Sequence, residues 1–560
     1  MDSPANPSPR RTMYFQPGII RLLIEHPAEF ERGQLLEAQQ QLGLALPSNA
    51  QLLVEQIATF VHPSGKRQRR GNCQPRQSAF SVVPYRVPEL AEYTLPNIRD
   101  LITIINRLNT QILEQKEATG DVLARIASPD WLSAPSPENT GGGGPGARPV
   151  PASIAPEFFT SEVDTAGTPF CFQAAALPDF QPRATTRAVD VAILDTAYPT
   201  DALIDAYNRF SAQHPVIRSL LEPDGAGGLK RLTVHTAAEI GITLPAPGEI
   251  KVERHNYPMN DHGLFVAGIV HSTAPTAQLH LYQVLNEYGV GSTQGIARTL
   301  QQIAQQQAAI PAEKRRPLVV NCSLMIVMPL PGQRKLDASE NDDLVSWELF
   351  NKSEAELQPE DWYLLDQLCL DLDWACDALH DNGVLVIAAA GNDANNGSDV
   401  NGGGRPRARF PAAFSSVEGI GALEKNSTVM TGYSNQSDRP AYKGIATLGG
   451  NATVTLNSAN EIIDSATVPG MGVLGAYIGA FPGDKPNGFP GTQDSDYPLL
   501  ENTTGWAWWA GTSFASPAIA GSAAALIGHG LPPASAIAAI RAAQPELTSD
   551  TSEIFMITQG

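Results

Sequence analysis

From residue 190 onward the chain alternates short apolar runs with helical stretches, and this alternation narrows its fold more than any other feature. Asp190–Asp195 (DVAILD), Gln278–Leu285 (QLHLYQVL), Pro317–Leu324 (PLVVNCSL) and Gly383–Ala390 (GVLVIAAA) have the length and branched apolar character of strands. Between them, Ser292–Ala308 and Asp361–His380 place apolar residues at helical spacing. Strands that take turns with helices are joined by crossovers, which favour a parallel sheet with helices on both faces. The expected class is therefore α/β, three layers around a mostly parallel central sheet. Such sheets present functional groups at the carboxyl ends of their strands.

The region before residue 132 reads differently. Gly33–Leu44 and Leu52–Val61 show helical spacing, and 96–117 (PNIRDLITIINRLNTQILEQKE) is strongly amphipathic, with Leu101, Ile104, Ile105, Leu108 and Ile112 on one face. These signals predict a small, mainly helical N-terminal region over 1–131, a pro-region or regulatory domain. Its apolar face has two possible uses, packing on itself or docking on the rest of the chain or on a partner. The stretch 132–155 (SAPSPENTGGGGPGARPVPAS and its borders) is rich in Gly, Pro and Ser and reads as a linker. The main domain then spans 156–560.

Composition excludes several classes. The formal net charge is −20, which gives no electrostatic footprint for nucleic acid and repels anionic membranes. The basic run Lys66, Arg67, Arg69 and Arg70 reads as an exposed loop and a candidate cleavage site. Five scattered cysteines, Cys73, Cys171, Cys322, Cys369 and Cys376, form no CxxC pair and read as free thiols of a reducing compartment. Arg21 interrupts the first apolar stretch, so no secretory signal is expected, and no apolar run is long enough to span a bilayer. A cytoplasmic location follows as an expectation.

Three segments carry candidate chemistry. VAILDTA sets Asp195 at a strand end, NDHGLFVAGIV sets His262 at the start of a small-residue helix, and AGTSFASPAIAGSAAALI sets Ser513 at the start of an Ala- and Gly-rich buried helix. Taken singly, each has a bland explanation: a loop-capping Asp, a buried His, an N-cap Ser. A helix N-terminus also favours developing negative charge. A fourth segment, AAAGND, places Asn392 just beyond a strand.

In this order the segments resemble the Asp, His and Ser motifs of the subtilisin-like serine proteases, and AAAGND resembles the segment that carries that family's oxyanion-hole Asn. VVNCSL is similar to the strand that lines its substrate cleft, and RFPAAFSSVEGIGAL, from Arg409, to the strand after the oxyanion-hole loop. The resemblance covers about residues 185–545. It implies a subtilisin-like fold and an endopeptidase with Asp195, His262 and Ser513 as catalytic residues and Asn392 in the oxyanion hole. Ser323, Leu324, Met325, Ala389, Ala390 and Gly391 would bind a protein or peptide substrate. No cofactor is needed for that chemistry; calcium is frequent in the family, but no metal ligands are assigned here and no EF-hand spacing occurs. A regulatory protein partner, or the N-terminal region itself, would restrain the activity.

The departures are specific. Leu264 and Phe265 stand where the family commonly has Thr and His, which alters packing beneath His262. Met325 stands where the family usually has Gly, on the strand that pairs with substrate. Insertions enlarge the domain near 200–255, 326–382 and 451–504; the second holds the acidic residues Asp337, Glu340, Asp342 and Asp343, and the third ends in Trp506, Trp508 and Trp509. Asp399, in the loop after Asn392, is a candidate for selecting basic side chains. Two other functions compete. One is an inactive interaction protein on the same fold; the other is a different acyl transfer, an esterase or ligase, although the GxSxG elbow of α/β-hydrolases is absent at Ser513.

Overall fold

A computed structural model of the chain describes residues 15–61, 78–92, 94–114, 123–134, 147–152, 172–174, 187–245, 258–328, 352, 356–394, 405–425, 427–437, 444–456, 462–483, 498–542, 553–554 and 557–559. The basic run 66–70, the acidic residues 337–343, Asp399, Cys73 and Cys171 lie outside them.

The centre is an eight-stranded sheet in the order 553–554, Ile445–Leu448, Val417–Leu423, Leu385–Ala389, Leu318–Cys322, Asp190–Asp195, Gln278–Gln283, Leu232–His235. Every pairing in it is parallel. Alternate residues of one strand serve opposite faces. Val191 and Ile193 join the core beneath helices Asp261–Thr273 and Thr512–Gly528, whereas Ala192 and Leu194 join the core beneath Thr293–Ala309 and Leu370–Asp381. The result is the three-layer α/β architecture that the sequence pattern implies. The predicted helix over 361–380 is split in two, Pro359–Leu368 and Leu370–Asp381, which meet at Cys369.

The N-terminal region departs from the helical expectation. The predicted amphipathic helix is present as Leu95–Glu114, and Arg32–Gln41 is helical too. Beside them runs an antiparallel sheet in which Phe15–Pro27 lies between Leu123–Ala134 and Ser78–Arg86. Ala58–Val61 and Gln51–Leu52 line the outer edge of Ser78–Arg86, so the stretch expected as helix over 52–61 is edge strand at 52 and 58–61, with a single 3-10 turn at Val54–Gln56 between. The region is α+β, and the physical reason is burial. Leu22, Leu23 and Ile24 are all enclosed, so no polar–apolar alternation marks that strand, and Pro84 and Pro129 interrupt its neighbours.

Leu101, Ile105 and Leu108 of the long helix pack on this sheet within one core. That same core continues into the helices beside the central sheet through Ile296, Leu300, Leu368 and Leu372, and Phe80 meets Trp374 edge-on at 4.4 Å. The two ends of the stretch expected as a linker are held in sheets: Leu132–Ala134 completes a strand, and Val150–Pro151 pairs with Ala507–Trp508.

Candidate active site

Asp195 is the last residue of its strand, and His262 is the second residue of helix Asp261–Thr273. His262 Nδ1 lies 2.8 and 2.9 Å from the two carboxylate oxygens of Asp195, and both side chains are buried. Thr196 binds strand end to helix start. Its N–H donates to Asp195 Oδ1 at 2.7 Å, and its hydroxyl accepts from Gly263 N–H at 3.0 Å. A Cβ on Gly263 would sit 2.0 Å from the Thr196 carbonyl oxygen, so only glycine allows this approach. The imidazole rests against Trp509, edge-on at 5.4 Å, and against Phe514 at 5.2 Å. Asp261, beside it, accepts from Ile478 N–H at 2.6 Å, Gly479 N–H at 3.1 Å and the Tyr198 hydroxyl at 2.9 Å. Burial nevertheless raises its carboxyl to about 6.

Ser513 sits in the first turn of helix Thr512–Gly528, which carries Pro517. Pro517 has no N–H for the carbonyl of Ser513 four residues earlier. The hydroxyl of Ser323 takes that place, donating to Ser513 O at 2.7 Å. Ser513 Oγ in turn donates to Ser323 O at 3.1 Å. The segment after strand Leu318–Cys322 and helix Thr512–Gly528 are thereby bonded to each other in both directions. Among the described residues His262 Nε2 has no hydrogen-bond partner, so the serine–histidine bond is not made in this arrangement. Asn392 is fixed from the other side: its Oδ1 accepts from Thr512 N–H at 2.9 Å and from the Thr512 hydroxyl at 2.8 Å.

The expected substrate-binding residues divide into two groups. Met325–Ile326 pairs antiparallel with Ser133–Ala134, while Gly291–Ser292 pairs antiparallel with Leu132–Ser133 from the other side. The end of the N-terminal sheet thus lies as the middle strand between Gly291–Ser292 and Met325–Ile326. Ala389, Ala390 and Gly391 are not paired with that strand. Ala390 N–H donates to Ile420 O, Ala390 O accepts from Arg409 N–H, and Gly391 N–H reaches the Thr512 hydroxyl. Leu324 is buried in the core below. The sequence reading missed Thr196, Asp261, Gly291 and the pair Arg409–Asp393. Arg409 donates to both oxygens of Asp393 at 2.9 and 2.8 Å and to Met328 O at 2.6 Å, linking the Asn392 loop to the cleft strand. No local periodicity marks such a pair, because its partners are brought together by the loop between two strands of the central sheet rather than by one element. Gly291, in EYGVGST before a helix, could have been read as a site of close backbone approach.

Trp506 and Trp509 are buried, the first stacked on His214 at 3.6 Å. Cys322, Cys369 and Cys376 are buried and form no disulfide among the described residues, and burial pushes Cys322 up to about 12, which keeps it protonated. Among the described residues no group of His, Cys, Asp or Glu side chains is arranged to hold a metal ion. No single described helix is long and apolar enough to cross a membrane.

Comparison with known proteins covers most of the chain. The model of the subtilase family (Peptidase_S8) matches residues 186–543. No curated protein matches the sequence. Among solved structures, the chain is similar to a lanthipeptide protease at 16% identity and a TM-score of 0.40, covering 74% of this chain and 96% of that one. It is also similar to fervidolysin from Fervidobacterium pennivorans, a keratinolytic enzyme related to subtilisin. There the identity is 13% and the TM-score 0.42, over 98% of this chain and 61% of that one.

Proposed function

The chain belongs to the subtilase family, and from that premise we propose that it is a serine endopeptidase in which Asp195, His262 and Ser513 form the catalytic triad. The observation that carries this reading is the Asp195–His262 hydrogen bond packed against the start of the Ser513 helix. Ser513 Oγ turns from Ser323 O to His262 and attacks the peptide carbonyl carbon while His262 Nε2 takes its proton. Asp195 holds the imidazole by Nδ1 and stabilises its cation. The oxyanion is held by the Asn392 amide and the Ser513 N–H, and losing one such donor costs about 2.7–4 kcal/mol in the transition state. Collapse breaks the C–N bond, and His262 passes the proton to the leaving amine. Water then hydrolyses the acyl-enzyme by the same proton route in reverse order.

The N-terminal region acts as the restraint. Leu132–Ala134 fills the strand position that a substrate would take, which supports a latent full-length chain that is released by cleavage within 135–146, directly after the seated strand. A reducing, cytoplasmic setting is supported by the three buried thiols. The test is a fluorophosphonate probe with casein, applied to full-length protein and to a Ser513→Ala control. In separate samples we expect slow labelling at Ser513 with the probe and, without the probe, self-cleavage within 135–146 followed by digestion of casein, all absent from the control. A chain that neither labels nor cuts itself after prolonged incubation sinks the proposal.

A further inference from the structure

Leu132 is enclosed where a cleft strand usually has one side open. It clusters with Val290, Met325 and Val327, and Tyr288 packs against the group. The ladder explains the geometry. Ala134 lies opposite Met325, and Val327 N–H donates to Leu132 O at 3.0 Å. Side chains two apart on a strand share a face, so Leu132 stands on the same face as Met325 and Val327. Ser133 points the other way, where a Cβ on Gly291 would come within 2.8 Å of its Oγ. Met325 is the residue that departs from the family pattern on this strand, and with glycine in its place the pocket would lose a wall.

We propose that Val290, Met325 and Val327 form an apolar subsite beside the strand position that Leu132–Ala134 fills, which selects substrates with a large apolar side chain two residues before the one paired with Met325. Leu132 occupies that subsite in the full-length chain. The inference rests on the reading of Leu132–Ala134 as a stand-in for substrate and deepens it. It names the substrate class as extended polypeptides with Leu or a similar residue at that position. The selection is one of affinity. Removing a buried leucine side chain from contact weakens binding by about tenfold or more.

The test separates binding from catalysis. Fluorescent peptides of residues 124–134, with the native sequence and with L132D, are titrated by anisotropy against the full-length Ser513→Ala protein. In this protein the resident strand carries the same L132D change, which loosens it. We expect the native peptide to bind at least about tenfold tighter than its L132D counterpart. Met325→Gly should abolish the difference and Met325→Leu should keep it. Equal affinity for the two peptides, no binding of either, or discrimination unaffected by Met325→Gly overturns the subsite. Fluorophosphonate labelling and peptide cleavage by the protein with Ser513 intact report on the protease reading separately. Discrimination without cleavage removes only the protease, and cleavage without discrimination removes only the subsite.

Discussion

At the scale of single residues the site includes groups whose part the quoted motifs leave unassigned. Asp261 is one, a buried carboxylate that accepts two backbone N–H groups from residues 478 and 479 and a hydroxyl from Tyr198. Burial outweighs these bonds and raises its carboxyl from 3.8 to about 6. A carboxyl whose folded value is raised favours folding while it is protonated, below the unfolded value of 3.8. That contribution is lost as pH rises through about 6. The shift of two units corresponds to roughly 3 kcal/mol at most. Asn at this position keeps the acceptor for Ile478 and Gly479 and donates to the Tyr198 oxygen, without the charge. Asp261→Asn should therefore gain thermal stability relative to the parent as pH rises from about 4 to about 6.5. Melting midpoints at half-unit pH steps check this, and parallel curves for the two proteins would refute it.

At the scale of elements, the helix carrying His262 owes its seating to a residue that differs from the family pattern. Phe265 lies within the aromatic group of Trp509 and Phe514, at 5.5 and 4.8 Å. Its ring fits because residue 475, on strand Val473–Ala476, is glycine: a Cβ there would fall 2.7 Å from the ring. Gly475→Ala should destabilise the protein by about 1–3 kcal/mol through overpacking. Phe265→Leu in the same chain should recover part of that loss, so the two changes should be non-additive. Chemical denaturation of both single variants and the double variant measures the coupling, and strict additivity would show that the ring and residue 475 do not press on each other. Elements of this kind also show what sequence reveals. The placement of Asp195, His262, Ser513 and Asn392 was legible because each ends, follows or opens an element whose periodicity is local. Strand Phe15–Pro27 was not, because tertiary burial of nearly every side chain erased its alternation. The aromatic packing of Phe265 against Gly475 was invisible for a related reason, since the two are more than 200 residues apart.

At the scale of the whole molecule, the N-terminal sheet and the peptidase helices share one core, and a cation is buried at their junction. Arg21 is fully enclosed. It donates to Asp371 Oδ2 at 2.7 Å, to Leu368 O at 3.2 Å on the peptidase side, and to Pro129 O and Ser128 Oγ at 3.2 Å on its own side. Asp130 lies 3.6 Å away and caps the start of helix Thr293–Ala309 by accepting from Gln294 N–H. Burial raises Asp130 to about 6, and Arg21 opposes that rise. Removing the cation leaves Asp371 and Asp130 buried without their partner, a loss of about 3–5 kcal/mol. If the N-terminal region is what holds the cleft closed, that loss falls on the closed state. Arg21→Met in the full-length chain should then speed probe labelling of Ser513 by about a hundredfold or more. Arg21→Met combined with Asp371→Leu replaces the pair by apolar groups and should return the rate most of the way to that of the parent. Equal labelling rates for the parent and Arg21→Met, with the variant folded by circular dichroism, would mean that the junction does not control access to the cleft. The strand at Leu132–Ala134 would then have to hold by its own pairing.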